Sequence, residues 1–327
     1  MIISQTPFRY SFVGGGTDLK KFYINEPGQV LSTTINKYLY VVIRRQTGVI
    51  ESKYRINWSK IELKNKLEDI EHPIVRETLK IFKINYPIEI SILTDIPAKT
   101  GLGSSSSFAV GLINALNAFE GKKISKYDLA MAAANIEINI LGRSIGKQDH
   151  FAASYGGFNI FTFNNDESVS IENLLVPSQI KNYLKNNFFL TWTALTRDSS
   201  EILKSQLSAT ENKREVLSKM KNLIPKLKDI LIGSNNIDEF GEIINHSWEL
   251  KRSLTNEISS PLIDKYYKIG LSNGAIGGKL LGAGGGGFIL FLVKKDSHNI
   301  FKASLPSLQH YQFGFDKYGS KIIYSNL

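Results

Sequence analysis

Residues 95–107, with the sequence DIPAKTGLGSSSS, constrain the fold of this chain more than any other stretch. Apolar residues alternate over the preceding residues 88–93, a pattern typical of a β-strand. After the serines, apolar side chains recur at helical spacing over residues 108–119. The stretch is therefore predicted to be a loop that ends a strand and opens a helix.

Two interpretations of this loop differ in function. Gly101 and Gly103 permit a tight turn and place no Cβ between the backbone and a ligand. The serines at 104–107 add hydroxyls where the first helical N–H groups have no helical partner and the helix dipole is positive, an arrangement that binds phosphate. The alternative is a plain connection in which one serine caps the helix. Four consecutive serines exceed what a cap requires and are poor helix formers, which favours a phosphate site.

Composition excludes several classes of protein. The chain of 327 residues has no cysteine, so disulfides, thiolate metal sites and a cysteine nucleophile are excluded. Neither a signal-peptide pattern at the start nor an apolar run of membrane-spanning length is found, so we expect a cytoplasmic protein with no membrane partner. The net charge is +10, but the lysines are dispersed through amphipathic segments, so no nucleic-acid partner is expected.

The chain is predicted to contain both helices and strands. Composition shifts at residues 164–168, the best candidate for a linker, which divides the chain into predicted domains at 1–165 and 166–327. Strands are predicted within 2–18 and at 30–35, 38–44, 88–93, 156–161, 188–192, 279–281 and 288–293, with a hairpin or strand and loop at 48–62. Helices are predicted at 71–83, 108–119, 125–141, 200–207, 211–232 with a kink at Pro225, 237–254 and 261–273, and a polar loop at 142–150.

Charged residues beside apolar ones leave alternatives open. Arg9 lies between apolar neighbours in the first strand, where it is either a surface arginine or a cation aimed at phosphate. Glu137 lies among isoleucines near a helix end, either solvated or buried with a partner such as a metal ion. The glycines at 14–16 bend the backbone and would place Thr17 and Asp18 at the edge of a pocket.

Standard nucleotide and hydrolase motifs are absent from the sequence. Gly278 and Lys279 are not followed by the serine or threonine of a Walker loop, and Ser106 stands where a Rossmann fingerprint needs its third glycine. Isolated histidines such as His150 are expected to be structural. What remains is three glycine-rich turns at strand ends, one serine cluster and two isolated acids, a set that suits phosphoryl transfer.

The chain resembles the GHMP small-molecule kinases, the group of galactokinase, homoserine kinase and mevalonate kinase. Three motifs occur in the family's order: PFRYSFVGGGTD at 7–18, IPAKTGLGSSSS at 96–107 and KLLGAGGGGF at 279–288. Within the superfamily it is most similar to the D-glycero-D-manno-heptose 7-phosphate kinases, through the GGGTD turn, residues 136–150 and the TRD sequence at 196–198.

The resemblance implies an α+β fold and a site between two domains. The N-terminal domain would be of the ribosomal-protein-S5 domain-2-like type and the C-terminal domain ferredoxin-like. ATP and Mg²⁺ would be the cofactors, and the resemblance assigns the catalytic base to Asp149, assisted by Arg9. The remaining assignments are Pro97, Gly101, Leu102, Gly103, Ser104, Ser105, Ser106, Gly284, Gly285 and Gly286 around the nucleotide phosphates; Ser105 and Glu137 at the metal; and Gly16, Thr17 and Asp18 at the sugar.

The implied reaction is phosphorylation of the anomeric hydroxyl of a sugar phosphate, heptose 7-phosphate. Arg197 and Lys251 would grip the phosphate of that substrate, or else form surface ion pairs. Galactokinases carry an acid in the first turn where this chain has glycines at 14–16, which argues against galactose. A kinase for another sugar, such as an unphosphorylated hexose, and a non-catalytic nucleotide-binding relative are the alternatives. The sequence leaves the choice between a monomer and a homodimer open.

Overall fold

The computed structural model describes residues 1–47, 52–196, 199–233 and 236–326. Its strands are β1 (Ile2–Val13), β2 (Gly28–Arg45), β3 (Tyr54–Asn57), β4 (Ile61–Lys64), β5 (Ile88–Thr94), β6 (Phe158–Phe163), β7 (Val169–Asn173), β8 (Phe188–Trp192), β9 (Ala275–Leu280), β10 (Phe288–Val293), β11 (Gln309–Tyr311) and β12 (Lys321–Ser325). Its α-helices are α1 (Lys20–Tyr23), α2 (Pro73–Ile81), α3 (Ser104–Phe119), α4 (Lys126–Ala134), α5 (Gln148–Tyr155), α6 (Ser178–Asn187), α7 (Ser199–Ala209), α8 (Arg214–Lys221), α9 (Ile224–Ile232), α10 (Asp238–Arg252), α11 (Pro261–Ser272) and α12 (His298–Ser304).

The first sheet has the order β12-β1-β2-β5-β3-β4, and β2 also pairs with β6, which pairs with β7. The two predicted segments at 30–35 and 38–44 are one long strand, β2. Its first half pairs with β6 and its second half with β5, while β1 runs antiparallel along both halves. The long strand therefore connects two groups of strands into one sheet.

Helix α3 is the central helix on one face of this sheet. Nearly every side chain from Ser106 to Leu116 is buried, so the helix has no exposed stripe in this part. It lies close to β1 at Gly111, whose carbonyl accepts a hydrogen bond from Ser4 Oγ at 2.8 Å. A Cβ at Gly111 would lie 2.8 Å from Thr6 Oγ1, so only glycine allows this approach.

The second sheet has the order β11-β8-β10-β9, with every neighbouring pair antiparallel. In chain order, β8 is followed by helices, β9 and β10 are adjacent, and α12 leads to β11. A β-α-β-β-α-β sequence in which the first and third strands, β8 and β10, are the inner pair and the second and fourth, β9 and β11, lie at the edges is the ferredoxin-like motif. The prediction of a ferredoxin-like C-terminal unit is confirmed.

Aromatic side chains join the two sheets into one core. Phe12 of β1 lies 6.0 Å from Phe188 of β8 and 5.1 Å from Phe240 of α10, measured between ring centroids. Tyr10 makes an edge-on contact with Phe188 at 6.4 Å. The buried apolar cluster is continuous across this contact, so the position of β1 relative to the second sheet is fixed by packing.

The structure differs from the predicted elements in three places near the site. The predicted loop at 142–150 ends in the first turn of α5, so Asp149 is helical. The helix predicted at 125–141 continues beyond α4 as a π-helix at Asn135–Ile140. Pro225 does not kink a helix but lies in the first turn of α9, where proline's missing N–H has no helical role.

Residues 164–168 form the turn between β6 and β7, closed by a hydrogen bond from Asn164 N to Ser168 O at 2.9 Å. Strands β7 and β12 both belong to the first sheet although they follow residue 165. The division of the chain at 165/166 stays a prediction. Among the described residues, no helix is both long and apolar enough to cross a membrane.

The contact between the sheets should dominate stability. Phe12→Ala removes a fully buried ring at the junction of the two sheets, and we expect it to lower the free energy of unfolding by about 3–5 kcal/mol. Leu175→Ala, at a side chain that is 85% exposed, should change it by less than about 0.5 kcal/mol. Urea unfolding followed by far-UV circular dichroism measures both; equal losses in the two variants would contradict the assigned junction.

Candidate active site

An irregularity in β1 turns polar side chains toward the helices at the site. The pairing of β1 with β2 shifts register between Pro7 and Arg9. Before the shift, the even-numbered residue Ser4 contacts α3; after it, the odd-numbered residues Arg9 and Ser11 contact α5. A bulge that redirects a side chain is a common device beside functional sites.

Arg9 and Asp149 form a bidentate ion pair. Arg9 Nε donates to Asp149 Oδ1 at 2.6 Å and Arg9 Nη2 donates to Oδ2 at 2.7 Å. The third nitrogen, Nη1, donates to the carbonyl of Gly101 at 2.6 Å. Arg9 is buried and is therefore not a surface arginine. The fork-shaped guanidinium fixes the Asp149 carboxylate against the predicted phosphate loop.

Gly103 gives the phosphate loop its close approach to this pair. Its φ of +79° lies in the left-handed region, and a Cβ there would lie 3.2 Å from Asp149 Oδ2 and 3.3 Å from Arg9 Cγ. Helix α3 begins at the next residue, Ser104. The positive end of a long buried helix therefore lies beside the carboxylate and its arginine.

The four serines do not share one environment. Ser105 is exposed and Ser104 is partly so, whereas Ser106 and Ser107 are buried. Ser107 Oγ donates to the carbonyl of Pro7 at 2.9 Å and so attaches α3 to β1. Ser104 and Ser105 are thus the two serines of the loop that have exposed surface.

Pro97 and Leu102, which the resemblance also assigns to the nucleotide, differ in solvent exposure. Pro97 is exposed at the start of the loop. Leu102 is fully buried, and its carbonyl accepts a hydrogen bond from Arg9 N at 3.1 Å, so this residue contributes its backbone to the loop's shape.

The predicted metal ligands, Ser105 and Glu137, are in contact. Ser105 Oγ donates to Glu137 Oε1 at 2.6 Å, and Glu137 is completely buried in the π-helix. His150 Nε2 lies 2.9 Å from Glu137 Oε2, and Arg143 Nη1 contacts both Ser105 Oγ, at 2.6 Å, and Glu137 Oε1. Burial raises the pKa of Glu137, but the hydrogen bonds and charges of these partners outweigh burial and lower it to about 2.

The donor set of this pair fits Mg²⁺. A hydroxyl and a carboxylate oxygen are the hard ligands that Mg²⁺ takes, usually one or two from protein with the rest from phosphates and water. Among the described residues there is no cluster of three or more histidine, cysteine or acidic side chains that could hold a metal by itself. A cation held by Ser105 and Glu137 would need oxygen atoms from a ligand.

The first glycine turn is held by its own side chains. Thr17 is buried, and its hydroxyl oxygen lies 2.8 Å from the carbonyl oxygens of both Gly14 and Gln29, which share its single proton. Asp18 accepts hydrogen bonds from Gly16 N at 2.9 Å and from Gln148 N at 3.2 Å. The Thr17 hydroxyl is thus used within the turn.

Asp18 also connects this turn to Gln148 and Asp149 in the first turn of α5. Burial and the charge of Asp149 raise the pKa of Asp18, although hydrogen bonds from Gln148 and Gly16 favour its ionised form. Gln148 Nε2 donates to Asp18 Oδ1 at 3.1 Å and its Oε1 accepts from Ser11 at 2.8 Å. The residue before Asp149 therefore positions the first glycine turn.

The glycine-rich loop at 282–287 lies directly on the phosphate loop. A Cβ at Gly282 would lie 2.6 Å from the Cα of Gly101, and Phe288 N donates to the carbonyl of Thr100 at 3.2 Å. Within the second loop, Gly285 N donates to the carbonyl of Ile258 at 2.9 Å, so that N–H group is used in the fold. A Cβ at Gly284 would lie 2.7 Å from the carbonyl oxygen of Ile258, and a Cβ at Gly286 would lie 2.6 Å from that of Leu195. Neither position therefore has room for a side chain.

Two buried lysines of the second half of the chain reach the site. Lys251 contacts the carbonyl of Gly282, and burial together with the charge of Arg9 lowers its pKa to about 8, although Asp149 and Asp18 favour the charged form. Lys279 Nζ donates to the carbonyl of Phe12 at 2.6 Å, and burial lowers its pKa well below the ordinary value. Lys251 is not a surface ion pair. Arg197 lies outside the described residues.

Sequence reasoning assigned no role to four residues that the structure brings to the site: Arg143, Gln148, His150 and Lys279. A signal for Gln148 and His150 was present, because both flank Asp149 in the segment that resembles the heptose kinases. Arg143 lies in the same segment, six residues after Glu137, and Lys279 is the first residue of the third motif. The resemblance gave neither residue a role, and their contacts with Ser105 and Phe12 join distant parts of the sequence.

Comparison with known proteins identifies the family. Residues 73–157 match the GHMP kinases N terminal domain, and residues 223–307 match the GHMP kinases C terminal description. The sequence is 31% identical to the D-glycero-alpha-D-manno-heptose 7-phosphate kinase of Campylobacter jejuni, over 98% of each chain. The chain is a GHMP kinase. It is an ATP-dependent phosphotransferase with an alcohol group as acceptor, of the sugar kinase type.

Solved GHMP kinases share the fold of the whole chain. The D-glycero-D-manno-heptose 1-phosphate kinase of Bacteroides thetaiotaomicron superposes with a TM-score of 0.81 at 24% identity, over 99% of this chain and 100% of that one. The mevalonate kinase of Methanococcus jannaschii superposes with a TM-score of 0.72 at 22% identity, over 96% and 98%. The predicted two-domain α+β architecture of this GHMP kinase is confirmed.

Titration of Lys251 should appear in the pH dependence of stability. Between pH 8 and the ordinary lysine value of 10.5, the unfolded chain binds a proton that the folded protein lacks, so the folded state gains stability as pH rises. Relative to Lys251→Met, the wild-type free energy of unfolding should rise by roughly 3 kcal/mol over this window.

Urea unfolding of both proteins from pH 7 to pH 10.5 measures this difference. Lys265→Met, a change at an exposed helical lysine, provides the matched control and should follow the wild-type profile. Parallel profiles for wild type and Lys251→Met would contradict the lowered pKa.

Proposed function

We propose that this GHMP kinase transfers the γ-phosphoryl group of ATP to the anomeric hydroxyl of D-glycero-D-manno-heptose 7-phosphate, forming the 1,7-bisphosphate. The observation that carries the reaction is the Arg9–Asp149 pair, which lies against Gly101 and Gly103 at the start of α3. The full-length similarity to the heptose 7-phosphate kinase of Campylobacter jejuni supports the choice of sugar.

In this proposal Asp149 accepts the proton of the anomeric hydroxyl through a carboxylate oxygen. The freed oxygen then attacks the γ-phosphorus, and ADP leaves. Arg9 holds both oxygens of Asp149, so the carboxylate keeps one orientation. The Asp149 side chain is about one-fifth exposed. Positioning of this kind accounts for much of the catalysis in phosphoryl transfer.

The serine loop would hold the phosphates of the donor. The first N–H groups of α3 lie at Ser104 and Ser105, the two serines with exposed surface. Ser105 and Glu137 would hold Mg²⁺, which would neutralise charge on the triphosphate. The glycine loop at 282–287 would cover the phosphates from the second domain, because its backbone lies on residues 100–101.

The sugar would lie between Asp149, Asp18 and Lys251. These three groups interact electrostatically across the contact between the domains. The pKa of Lys251 is about 8, so below that pH the side chain is a cation next to two carboxylates and can bind a phosphate group. Asp18 would accept hydrogen bonds from sugar hydroxyls. Lys251 and the sequence-predicted Arg197 are the proposed ligands of the substrate's existing phosphate.

The second candidate function is a kinase for an unphosphorylated hexose. The galactokinase of Thermotoga maritima is 24% identical over 95% of each chain, which supports this alternative. The glycines at 14–16 provide no acid in the first turn, which favours the heptose phosphate.

The base assignment predicts a loss of chemistry without a loss of donor binding. Asp149→Asn keeps the shape of the side chain but removes the proton acceptor, so turnover should fall by about a hundredfold or more. Binding of a non-hydrolysable ATP analogue, measured by calorimetry, should stay within about threefold of wild type. Asp166→Asn, at an exposed turn residue, is the control and should retain activity. An active Asp149→Asn protein would rule out this base.

The substrate assignment predicts a preference for the phosphorylated heptose. ADP release is measured with D-glycero-D-manno-heptose 7-phosphate, the same heptose without phosphate, and galactose, and the product anomer is read by phosphorus NMR. The kcat/KM for the heptose 7-phosphate should be at least about tenfold above that for the free heptose or for galactose. Lys251→Met should raise the KM for the heptose 7-phosphate more than the KM for the free heptose. Equal or higher activity on galactose would favour the hexose kinase instead.

A further inference from the structure

Arg143 lies where the proposed function needs a divalent cation. Its Nη1 donates to Ser105 Oγ at 2.6 Å and also contacts Glu137 Oε1. These two oxygen atoms are the ones assigned to the metal. The guanidinium of the free protein therefore contacts both oxygen atoms, which are also hydrogen-bonded to each other at 2.6 Å.

The contact of the Arg143 guanidinium with Glu137 has an electrostatic cause. Glu137 is completely buried and ionised, and a buried carboxylate without a compensating charge is strongly destabilising. His150 contacts only Oε2, so Oε1 depends on Ser105 and Arg143. Arg143 thus stabilises the carboxylate and holds it against the serine hydroxyl.

Arg143 and a divalent cation cannot share Glu137 Oε1. Two positive charges within a few ångströms repel strongly in a partly buried site. The side chain of Arg143 has room to change its position, because it is one-third exposed. It also follows Gly142, which has a φ of +64° and open space around it. Its backbone is fixed nearby, because Arg143 N donates to the carbonyl of Glu137 at 3.0 Å.

We propose that Arg143 binds the triphosphate of the donor: it pairs with Ser105 and Glu137 in the free enzyme and moves to phosphate oxygens when the nucleotide arrives with its divalent cation. The inference rests on the proposed function, since it needs a nucleoside triphosphate at the serine loop. The planar guanidinium matches two phosphate oxygens at once, and the ligand supplies the negative charge that replaces Glu137 as its partner.

The test measures binding of two probes, each without turnover. Mn²⁺ alone is titrated into nucleotide-free protein and followed by electron paramagnetic resonance; a non-hydrolysable ATP analogue with Mg²⁺ is titrated by calorimetry. Arg143→Met removes the competing cation and the phosphate ligand together. It should bind Mn²⁺ alone about tenfold more tightly and the Mg²⁺ analogue about tenfold more weakly than wild type.

Two further variants make the result specific. Arg76→Met removes an arginine of similar exposure that pairs with Glu77 at 2.8 Å, and it should bind both probes as wild type does. Arg143→Lys keeps the charge without the planar fork, so its Mn²⁺ affinity should stay near wild type while analogue affinity falls between wild type and Arg143→Met. This variant also provides the answer if Arg143→Met does not fold.

The outcomes separate the two proposals. Unchanged or weaker Mn²⁺ binding by Arg143→Met would show that Arg143 does not compete with a cation, and unchanged analogue binding would show that it does not hold phosphate; either result overturns the inference while the proposed kinase stands. For Arg143→Lys, analogue binding equal to wild type overturns it likewise. If the wild-type protein itself fails to bind the analogue, the proposed function and this inference fail together.

Discussion

The ion pair between Arg9 and Asp149 is the contact on which the arrangement of the site depends. It joins β1, which carries Arg9, to the first turn of α5, which carries Asp149. The same guanidinium holds the phosphate loop through the carbonyl of Gly101. One charged group therefore fixes the distance between the proposed base and the proposed donor site, two features that lie about fifty residues apart in the sequence. A bidentate pair restricts orientation as well as distance, which a single hydrogen bond does not.

Around this pair the protein buries charge in balanced groups. Glu137 is paired with Arg143 and hydrogen-bonded to His150, while Asp18 and Asp149 lie near Arg9 and Lys251. Buried pairs of this kind contribute little net stability, because desolvation offsets the attraction between the charges. Their value to a phosphotransferase is that Arg9 and Lys251 are already in place when a highly charged donor binds, and Arg143 is the charged partner proposed to move at that moment.

Much of the framework followed from local sequence patterns. The order of strand, loop and helix at residues 88–119 is observed as predicted, because alternation, glycines and helical spacing act over a few residues. The four serines predicted to end the loop form the first turn of α3. The two-domain fold came from the resemblance of three motifs to GHMP kinases, which the comparisons confirm. The helical state of Asp149 and the continuity of β2 were missed. Both depend on distant partners: Asp149 on Arg9, and β2 on the antiparallel run of β1 beside it.

The sequence by itself determined that the chain carries a strand-ending, glycine- and serine-rich loop at a helix start, and two isolated acids with it. It left open whether Arg9 and Glu137 are solvated or buried, because a single charged residue among apolar neighbours fits both states. Only the tertiary structure decided this, by placing Arg9 on Asp149 and Glu137 on Ser105, Arg143 and His150. Burial of a charge requires a partner, and the partners here come from other elements of the fold.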